Sequence, residues 1–125
     1  RLIDCGLNGK VFPLYEGSAE HLRSFTYVQD IVDGIVSVIG KETICNGEVF
    51  NLGTEEENTT ATGIATVEEI LQKHIKIEKK PARPGDQSRT KANIDKARRL
   101  LNYNPKTGLK EGLEAQVKWF KDNFK

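Results

Sequence analysis

The chain has 125 residues, of which 37% are hydrophobic and 30% charged, and a formal net charge of +1. This length suits one domain with a modest core, and the small net charge gives no overall field that would attract nucleic acid or an anionic membrane. No apolar run approaches the ~20 residues of a membrane-spanning helix, and no signal peptide is visible. Cys5 and Cys45 match no metal or redox spacing, so we expect reduced thiols in a cytoplasmic protein.

The first third of the chain predicts the end of a helix, an edge strand and a strand-to-helix corner. Residues 1–7 begin without methionine and have the pattern of an amphipathic helix already under way, which indicates a piece of a longer chain. Residues 10–15 are apolar and rich in β-formers, and a proline among them restricts them to a short or edge strand. Residues 25–28 predict a second strand, and Asp30 predicts the N-cap of a helix that runs to about Ile39.

The rest of the chain alternates predicted strands and helices around a polar loop. The predicted elements are a buried strand at 49–52, a helix at 61–71 capped by Thr59 or Thr60, a half-exposed strand at 75–79, a short helix capped by Asn93 and a last helix from near Gly108. Between the first two of these, residues 54–60 carry three glutamates in a row and indicate a solvated loop. Strands joined by long helical connections favour an α/β fold with some parallel pairing.

Few side chains in this chain could carry out a complete catalytic reaction. No glycine-rich turn opens a helix to bind dinucleotide phosphates, and no tyrosine has a lysine four positions on. His21 and His74 belong to no metal or triad pattern. We expect His74 to be solvated, whereas His21 lies in the loop just before Arg23, where a ligand contact is the less favoured of two interpretations.

Two arginines are the stronger chemical signal. Arg23 is held at the strand-to-helix corner, and Arg83 lies in the turn Pro-Ala-Arg-Pro-Gly-Asp that ends at Asp86. The planar fork of arginine binds phosphate oxygens in pairs, so two arginines on rigid elements suit a diphosphate. Asp86 could then accept hydrogen bonds from ribose hydroxyls. In the alternative interpretation Arg83 and Asp86 merely pair on the surface, an arrangement worth ~0–1 kcal/mol.

A local excess of basic residues admits a second class of function. The basic residues are Lys76, Lys79, Lys80, Arg83, Arg89, Lys91, Lys96, Arg98 and Arg99. A stand-alone interaction or nucleic-acid-binding module could use such a segment. Because acidic residues interrupt it and no aromatic residue is interleaved to stack on bases, we expect a solvated face and no nucleic-acid partner.

Five motifs occur in the order and near the spacing of a known family. They are RSFTYVQDIV at 23–32, VFNLG at 49–53, RPGD at 83–86, ANIDKA at 92–97, and the group formed by Leu100, Leu101, Tyr103, Pro105 and residues 109–113. Together they resemble the C-terminal part of the NAD-dependent nucleotide-sugar epimerase/dehydratase family, the extended short-chain dehydrogenases. Sugar-nucleotide 4-epimerases that act on UDP-sugars are the most similar members.

The resemblance implies an α/β fold, and it implies different roles for this chain and for an N-terminal part outside it. Residues 49–52 and 31–39 would be the last strand and helix of a Rossmann-type domain, and the remainder a small α/β substrate domain. Residues 1–125 as a whole would form the C-terminal substrate-binding portion. NAD and the catalytic residues would belong to the N-terminal part, so no catalytic residue is assigned here.

The resemblance also implies a ligand and a set of contacts. The partner would be a nucleoside diphosphate sugar, with Arg23 and Arg83 on the diphosphate, Asp86 on the ribose, and Leu14 and Tyr15 against the base. The whole protein would be a cytoplasmic homodimeric enzyme that inverts C4 of the sugar by transient oxidation. A decarboxylase, dehydratase or reductase of the same family is the alternative. Without its N-terminal partner, the chain is expected to expose an apolar patch or to cover it by self-association.

Overall fold

The computed structural model describes residues 1–124, which form six α-helices and two small sheets. The helices are α1 (Leu2–Asn8), α2 (Val28–Val36), α3 (Glu42–Cys45), α4 (Thr60–Leu71), α5 (Asp95–Leu101) and α6 (Leu109–Asn123). The strands are β1 (Phe12–Tyr15), β2 (Leu22–Arg23), β3 (Asn58–Thr59), β4 (Ile77–Lys80) and β5 (Arg89–Thr90). The predicted α/β class is confirmed.

The two sheets are held together by pairings between distant parts of the chain. Strands β1 and β4 are parallel, with Tyr15 opposite Lys80. Strand β2 lies between β3, which is antiparallel to it, and β5, which is parallel to it. Parallel neighbours require a long crossover connection, and α4 lies within the crossovers of both parallel pairs. The expected parallel pairing is therefore present.

Two separate apolar clusters form the core. Residues of α1, α4 and α6, among them Ile3, Val67 and Val117, make the first cluster. Residues of α5 and of the segments on either side of it, among them Ile94 and Tyr103, make the second. The spacing of these residues along their helices puts them on one face, so burial of that face stabilises both the helix and the cluster.

Local signals placed most of the helices correctly. The Thr59 hydroxyl accepts the Thr62 N–H at 3.0 Å, which confirms the predicted cap of α4. Gly108 precedes α6, as expected. The Asn93 side chain accepts the Asp95 N–H at 3.0 Å, although Ile94 occupies the cap position itself. The four-residue helix α3 was not predicted.

The strand predicted at residues 25–28 is wrong, and so is the N-cap role of Asp30. The ladder ends at Arg23 because the strands on either side of β2 are only two residues long. Helix α2 already begins at Val28, which places Asp30 in its first turn. There the buried carboxylate accepts the N–H groups of Lys106 and Thr107 at 3.1 and 3.2 Å. Asp30 therefore joins α2 to the chain before α6.

Two further strand predictions need correction. Residues 49–52 form no strand, because a strand needs a neighbour to pair with its backbone and the described residues supply none there. Leu52 packs against the second cluster instead. The strand predicted at 75–79 begins at Ile77, since Ile75 is buried in the first cluster and its N–H donates to the Glu68 side chain at 2.8 Å.

One side of α2 and the turn after it presents an apolar face to solvent. The α2 face consists of Val28, Val32, Ile35, Val36 and Ile39, whose exposed fractions lie between 41% and 76%. Contiguous apolar surface of this kind marks an interaction site in soluble proteins. The exposed patch expected from the sequence is therefore present.

We expect the isolated chain to self-associate through the α2 face. Ile35→Lys places a charge in that face and should shift sedimentation towards the monomer, because a buried unpaired ammonium group costs several kcal/mol. Asn8→Lys adds the same charge at an exposed position of α1, outside the α2 face, and should leave the assembly unchanged. If the unsubstituted chain and the Ile35→Lys variant both sediment as monomers, the α2 face does not mediate self-association.

Candidate functional site

Arg23 is fixed at the end of the central strand of the three-stranded sheet. In strand β2 it lies opposite Asn58 on one side and Thr90 on the other. Its guanidinium donates to the carbonyl of Leu22 at 2.9 Å, and the side chain is partly buried. The backbone and the head group are thus both restrained before any ligand is considered.

Arg83 and Asp86 lie on the loop that follows β4. The turn between them needs Gly85, whose φ of 79° lies in the left-handed region, and the Asp86 N–H donates to the Arg83 carbonyl at 3.3 Å. The Arg83 guanidinium lies 4.0 Å from the ring centroid of Tyr15 at the end of β1. This cation–π contact orients the side chain of Arg83, which is 57% exposed.

The two arginines meet at one carboxylate. Arg23 Nη2 lies 3.3 Å from Asp86 Oδ1, and Arg83 Nη2 lies 3.7 Å from Asp86 Oδ2. His21 Nδ1 is 3.5 Å from the same Oδ2. We call Tyr15, His21, Arg23, Arg83 and Asp86 the arginine cluster. The structure thus brings together four of the five residues predicted to contact the ligand, all except Leu14. The ion pair of Arg83 with Asp86, which was the alternative interpretation, is present as well.

Leu14, the fifth residue expected near the nucleotide, lies beside Tyr15 in β1. Successive side chains of a strand point to opposite faces, so Leu14 and Tyr15 do not share a face. Leu14 could therefore contact a ligand at the cluster only through its backbone. Its pairing with Lys79 fixes that backbone in the sheet.

For His21, a ligand contact was the less favoured interpretation of the sequence. It stands two positions before Arg23, and alternate residues of an extended chain face the same side. Its Nδ1 lies 3.3 Å from Arg23 Nη2, within hydrogen-bonding distance. That spacing is the sequence signal from which the proximity could have been inferred.

The charges of the cluster do not cancel. Two guanidinium groups share one carboxylate, so with a neutral His21 one positive charge remains in a partly buried setting. The observed distances exceed the ~2.7–2.9 Å of tight ionic hydrogen bonds. The cluster can therefore accept an additional or a replacement anion.

Most of the basic segment has acidic partners. Six of its nine side chains lie within ion-pair distance of a carboxylate, namely Lys80, Arg83, Arg89, Lys91, Lys96 and Arg98. Residues 54–57 form the predicted loop, whereas the expected loop residues 58–60 belong to β3 and to the start of α4. The glutamates of this run supply several of the acidic partners. The hydrogen bond from Arg89 holds the pKa of Glu57 below its usual value, and that from Arg98 lowers the pKa of Glu55.

A concave region lies away from the cluster. It is a groove of about 470 Å³ between residues 25–28 and α6, with Tyr27, Leu113 and Trp119 in its walls. None of its lining residues carries a charge. A diphosphate would find no counter-charge there, so the groove does not compete with the arginine cluster as an anion site.

The described residues offer no site for a metal or for the pyrophosphate of NAD. Within residues 1–124 no group of three or more His, Cys, Asp or Glu side chains could hold a metal ion. No glycine-rich turn in this part of the chain joins a strand to the start of a helix, which is the structure that dinucleotide binding requires. Among the described helices, none is both long enough and apolar enough to cross a bilayer.

Comparison with known proteins agrees with the resemblance seen in the motifs. A family described as GDP-mannose 4,6 dehydratase matches residues 3–116. UDP-glucuronate 4-epimerase 1 of Arabidopsis thaliana is 35% identical over 133 aligned residues, which cover 91% of this chain and 30% of that protein. UDP-glucuronic acid decarboxylase 1 of the same plant is 35% identical over 108 residues, covering 86% and 24%.

Solved structures agree in fold as well as in sequence. UDP-glucuronic acid 4-epimerase from Bacillus cereus, in complex with UDP-glucuronic acid and NAD, matches with a TM-score of 0.89 and 32% identity. The match covers 99% of this chain and 39% of that one. The chain spans about a third of the length of the curated relatives that it matches. As its motifs predicted, the chain belongs to the NAD-dependent nucleotide-sugar epimerase/dehydratase family of extended short-chain dehydrogenases, with the sequence features of the C-terminal part.

Proposed function

We propose that this chain is the substrate-binding part of an NAD-dependent nucleotide-sugar epimerase. Arg23 and Arg83 bind the diphosphate of a UDP-sugar, Asp86 binds the ribose, and Leu14 and Tyr15 lie against the base. The observation that carries the proposal is the approach of two arginines, distant in sequence, to a single carboxylate.

The geometry of the cluster supports an anionic ligand with at least two binding points. Asp86 demonstrates that an anionic group fits within reach of both guanidinium groups at once. A carboxylate offers two oxygens and one charge, whereas a diphosphate offers more oxygens and two charges. Each arginine can then form the short paired hydrogen bonds that its fork favours, which the present distances do not allow.

The chemistry of the whole protein needs groups that these residues do not supply. NAD, held by residues outside this chain, would supply the hydride acceptor for transient oxidation at C4 of the sugar. No tyrosine of this chain has a lysine four positions on, so the general acid–base pair of the family lies elsewhere. The role of this chain is to bind the nucleotide and hold the sugar in place.

Two alternatives differ in how well the observations support them. A decarboxylase would use the same diphosphate contacts, and the decarboxylase relative is as similar to this chain as the epimerase relative. A stand-alone nucleic-acid-binding module has less support, because most of the basic segment is already paired with carboxylates.

Titration of the chain with UDP-glucuronic acid tests the proposal. Arg83→Ala should weaken binding roughly 10- to 150-fold, the loss of about 1.5–3 kcal/mol expected for a charge-assisted hydrogen bond. Arg23→Ala should have an effect of the same size. Heteronuclear NMR detects millimolar affinities and shows at the same time whether each variant is folded.

Arg99→Ala is the matched control, since it removes an exposed arginine on α5 that lies outside the cluster. We expect it to leave the affinity unchanged. Equal affinities of the unsubstituted chain and the two cluster variants would overturn the assignment of the diphosphate site. A uniform loss that the control shares would indicate a general charge effect instead.

A further inference from the structure

We infer that His21 is a positioning residue, which exchanges Arg23 for Asp86 as its hydrogen-bond partner when a nucleoside diphosphate binds. The inference rests on the proposed function and adds to it a named tautomeric change. It follows from the position of one ring nitrogen between a group that can only donate and a group that can only accept.

The backbone of His21 is held at both of its polar groups. Its N–H donates to the Ser18 carbonyl at 3.2 Å, and its carbonyl accepts the N–H of Thr60, the first residue of α4, at 3.1 Å. Its side chain is only 16% exposed. Asp86, by contrast, lies on a glycine-containing turn. When contacts within the cluster rearrange, the imidazole therefore extends from a fixed backbone.

One nitrogen of His21 faces two incompatible partners. Nδ1 lies 3.3 Å from Arg23 Nη2 and 3.5 Å from Asp86 Oδ2. A guanidinium has only donors and a carboxylate has only acceptors, so Nδ1 of a neutral ring can serve one of them but not both. The contact with Arg23 meets hydrogen-bond geometry. Because a guanidinium can only donate, we assign Nδ1 as the acceptor in the free protein and the ring proton to Nε2.

Binding of a diphosphate removes the hydrogen bond from Arg23 that favours an unprotonated Nδ1. Once Arg23 donates to phosphate oxygens, Nδ1 loses its donor while the Asp86 carboxylate remains beside it. The ring then releases the Nε2 proton to solvent and takes up a proton at Nδ1, so it is neutral before and after. The new Nδ1–H donates to Asp86 Oδ2.

This exchange keeps Asp86 in position. Without it, the carboxylate would lose both arginines to the diphosphate and would face that like charge with no donor of its own. Held by His21, it keeps its other oxygen available for the ribose hydroxyls. His21 thus acts through Asp86 and favours a nucleotide over a bare diphosphate.

Nitrogen-detected NMR of the imidazole rings measures the proposed change directly. The chain contains two histidines, and His74→Gln assigns the His21 signals by elimination. The spectra are recorded at about pH 8, above the ordinary titration range of imidazole. Nδ1 should be unprotonated in the free chain and protonated in the presence of UDP, whereas the fully exposed His74 should not respond.

Substitution of His21 gives a second, independent readout. His21→Gln retains a donor and an acceptor and should bind UDP within about threefold of the unsubstituted chain. His21→Leu should bind UDP roughly tenfold more weakly, the effect of losing one hydrogen bond to a charged group. Its affinity for inorganic pyrophosphate should not change, because that ligand makes no ribose contact.

The outcomes separate this inference from the function on which it rests. If UDP binds in a manner that depends on Arg83 but Nδ1 keeps the same protonation state, the partner exchange is overturned and the diphosphate site stands. A ring that is already protonated at Nδ1 in the free chain overturns it too. If UDP fails to bind, the proposed function and the role of His21 are both wrong.

Discussion

Asp30→Ala is expected to lower the free energy of unfolding by about 3 kcal/mol, because two backbone N–H groups lose their acceptor. Asp30 is only 6% exposed, and its carboxylate accepts hydrogen bonds from the N–H groups of Lys106 and Thr107. An alanine methyl offers no acceptor, and the segment before α6 loses its link to α2. Chemical denaturation followed by circular dichroism should show this loss, together with a fall of roughly 10 °C in the melting temperature.

Asp33→Ala is the matched control on the same helix. Asp33 is exposed, and its carboxylate accepts a hydrogen bond from the Gln29 side chain at the surface. We expect its removal to change stability by no more than about 0.5 kcal/mol. Comparable losses in both variants would mean that charge on α2, rather than the link from Asp30, stabilises the fold.

Gly34→Ala is expected to destabilise the chain by about 2 kcal/mol through overpacking. A Cβ at this position would lie 2.8 Å from both terminal methyl groups of Leu52 and 3.0 Å from the ring of Tyr103. Tyr103 cannot readily retreat, because it is buried and its hydroxyl donates to the Gly53 carbonyl at 3.0 Å. The overlap should outweigh the ~1 kcal/mol that alanine gains over glycine in a helix.

Gly63→Ala tests the same substitution where space is available. Gly63 is buried within α4, and its added Cβ would meet the Phe25 ring at 3.6 Å, an ordinary contact. Helix propensity should then dominate and stabilise the chain by roughly 0.5–1 kcal/mol. A denaturation midpoint that rises for Gly34→Ala as well as for Gly63→Ala would show that the contacts at Gly34 relax. A midpoint that falls for Gly63→Ala would show that the space beside Phe25 does not accept a methyl group.

Helices were predictable here to the extent that their signals are local. The cap at Thr59 and the apolar stripes of α4 and α6 lie within a few residues of the structure they specify. Strand limits depend on the partner, so Arg23 became the end of a strand and residues 49–52 formed none. The buried role of Asp30 could not be predicted, because its donors, Lys106 and Thr107, are 76 and 77 residues further along the chain.

The arginine cluster was predictable in composition but not in detail. The motifs identified Arg23 from its predicted strand-to-helix corner, and Arg83 and Asp86 from the proline and glycine that define the turn between them. That the carboxylate lies between the arginines, and that Tyr15 supports Arg83, depends on how β1 pairs with β4. No rule based on residue spacing predicts such a contact.

The separation of these residues has a consequence for folding. Arg23 and Asp86 are 63 residues apart, and only pairing across two parallel crossovers brings them together. Closing such long loops costs entropy before any contact compensates for it, so nonlocal parallel pairing forms slowly. A refolding chain should regain its circular dichroism from α4 and α6 early and the proposed binding of UDP only at the end. Nucleotide binding would thus report completion of the tertiary structure on a millisecond-to-second scale that helix content alone does not resolve.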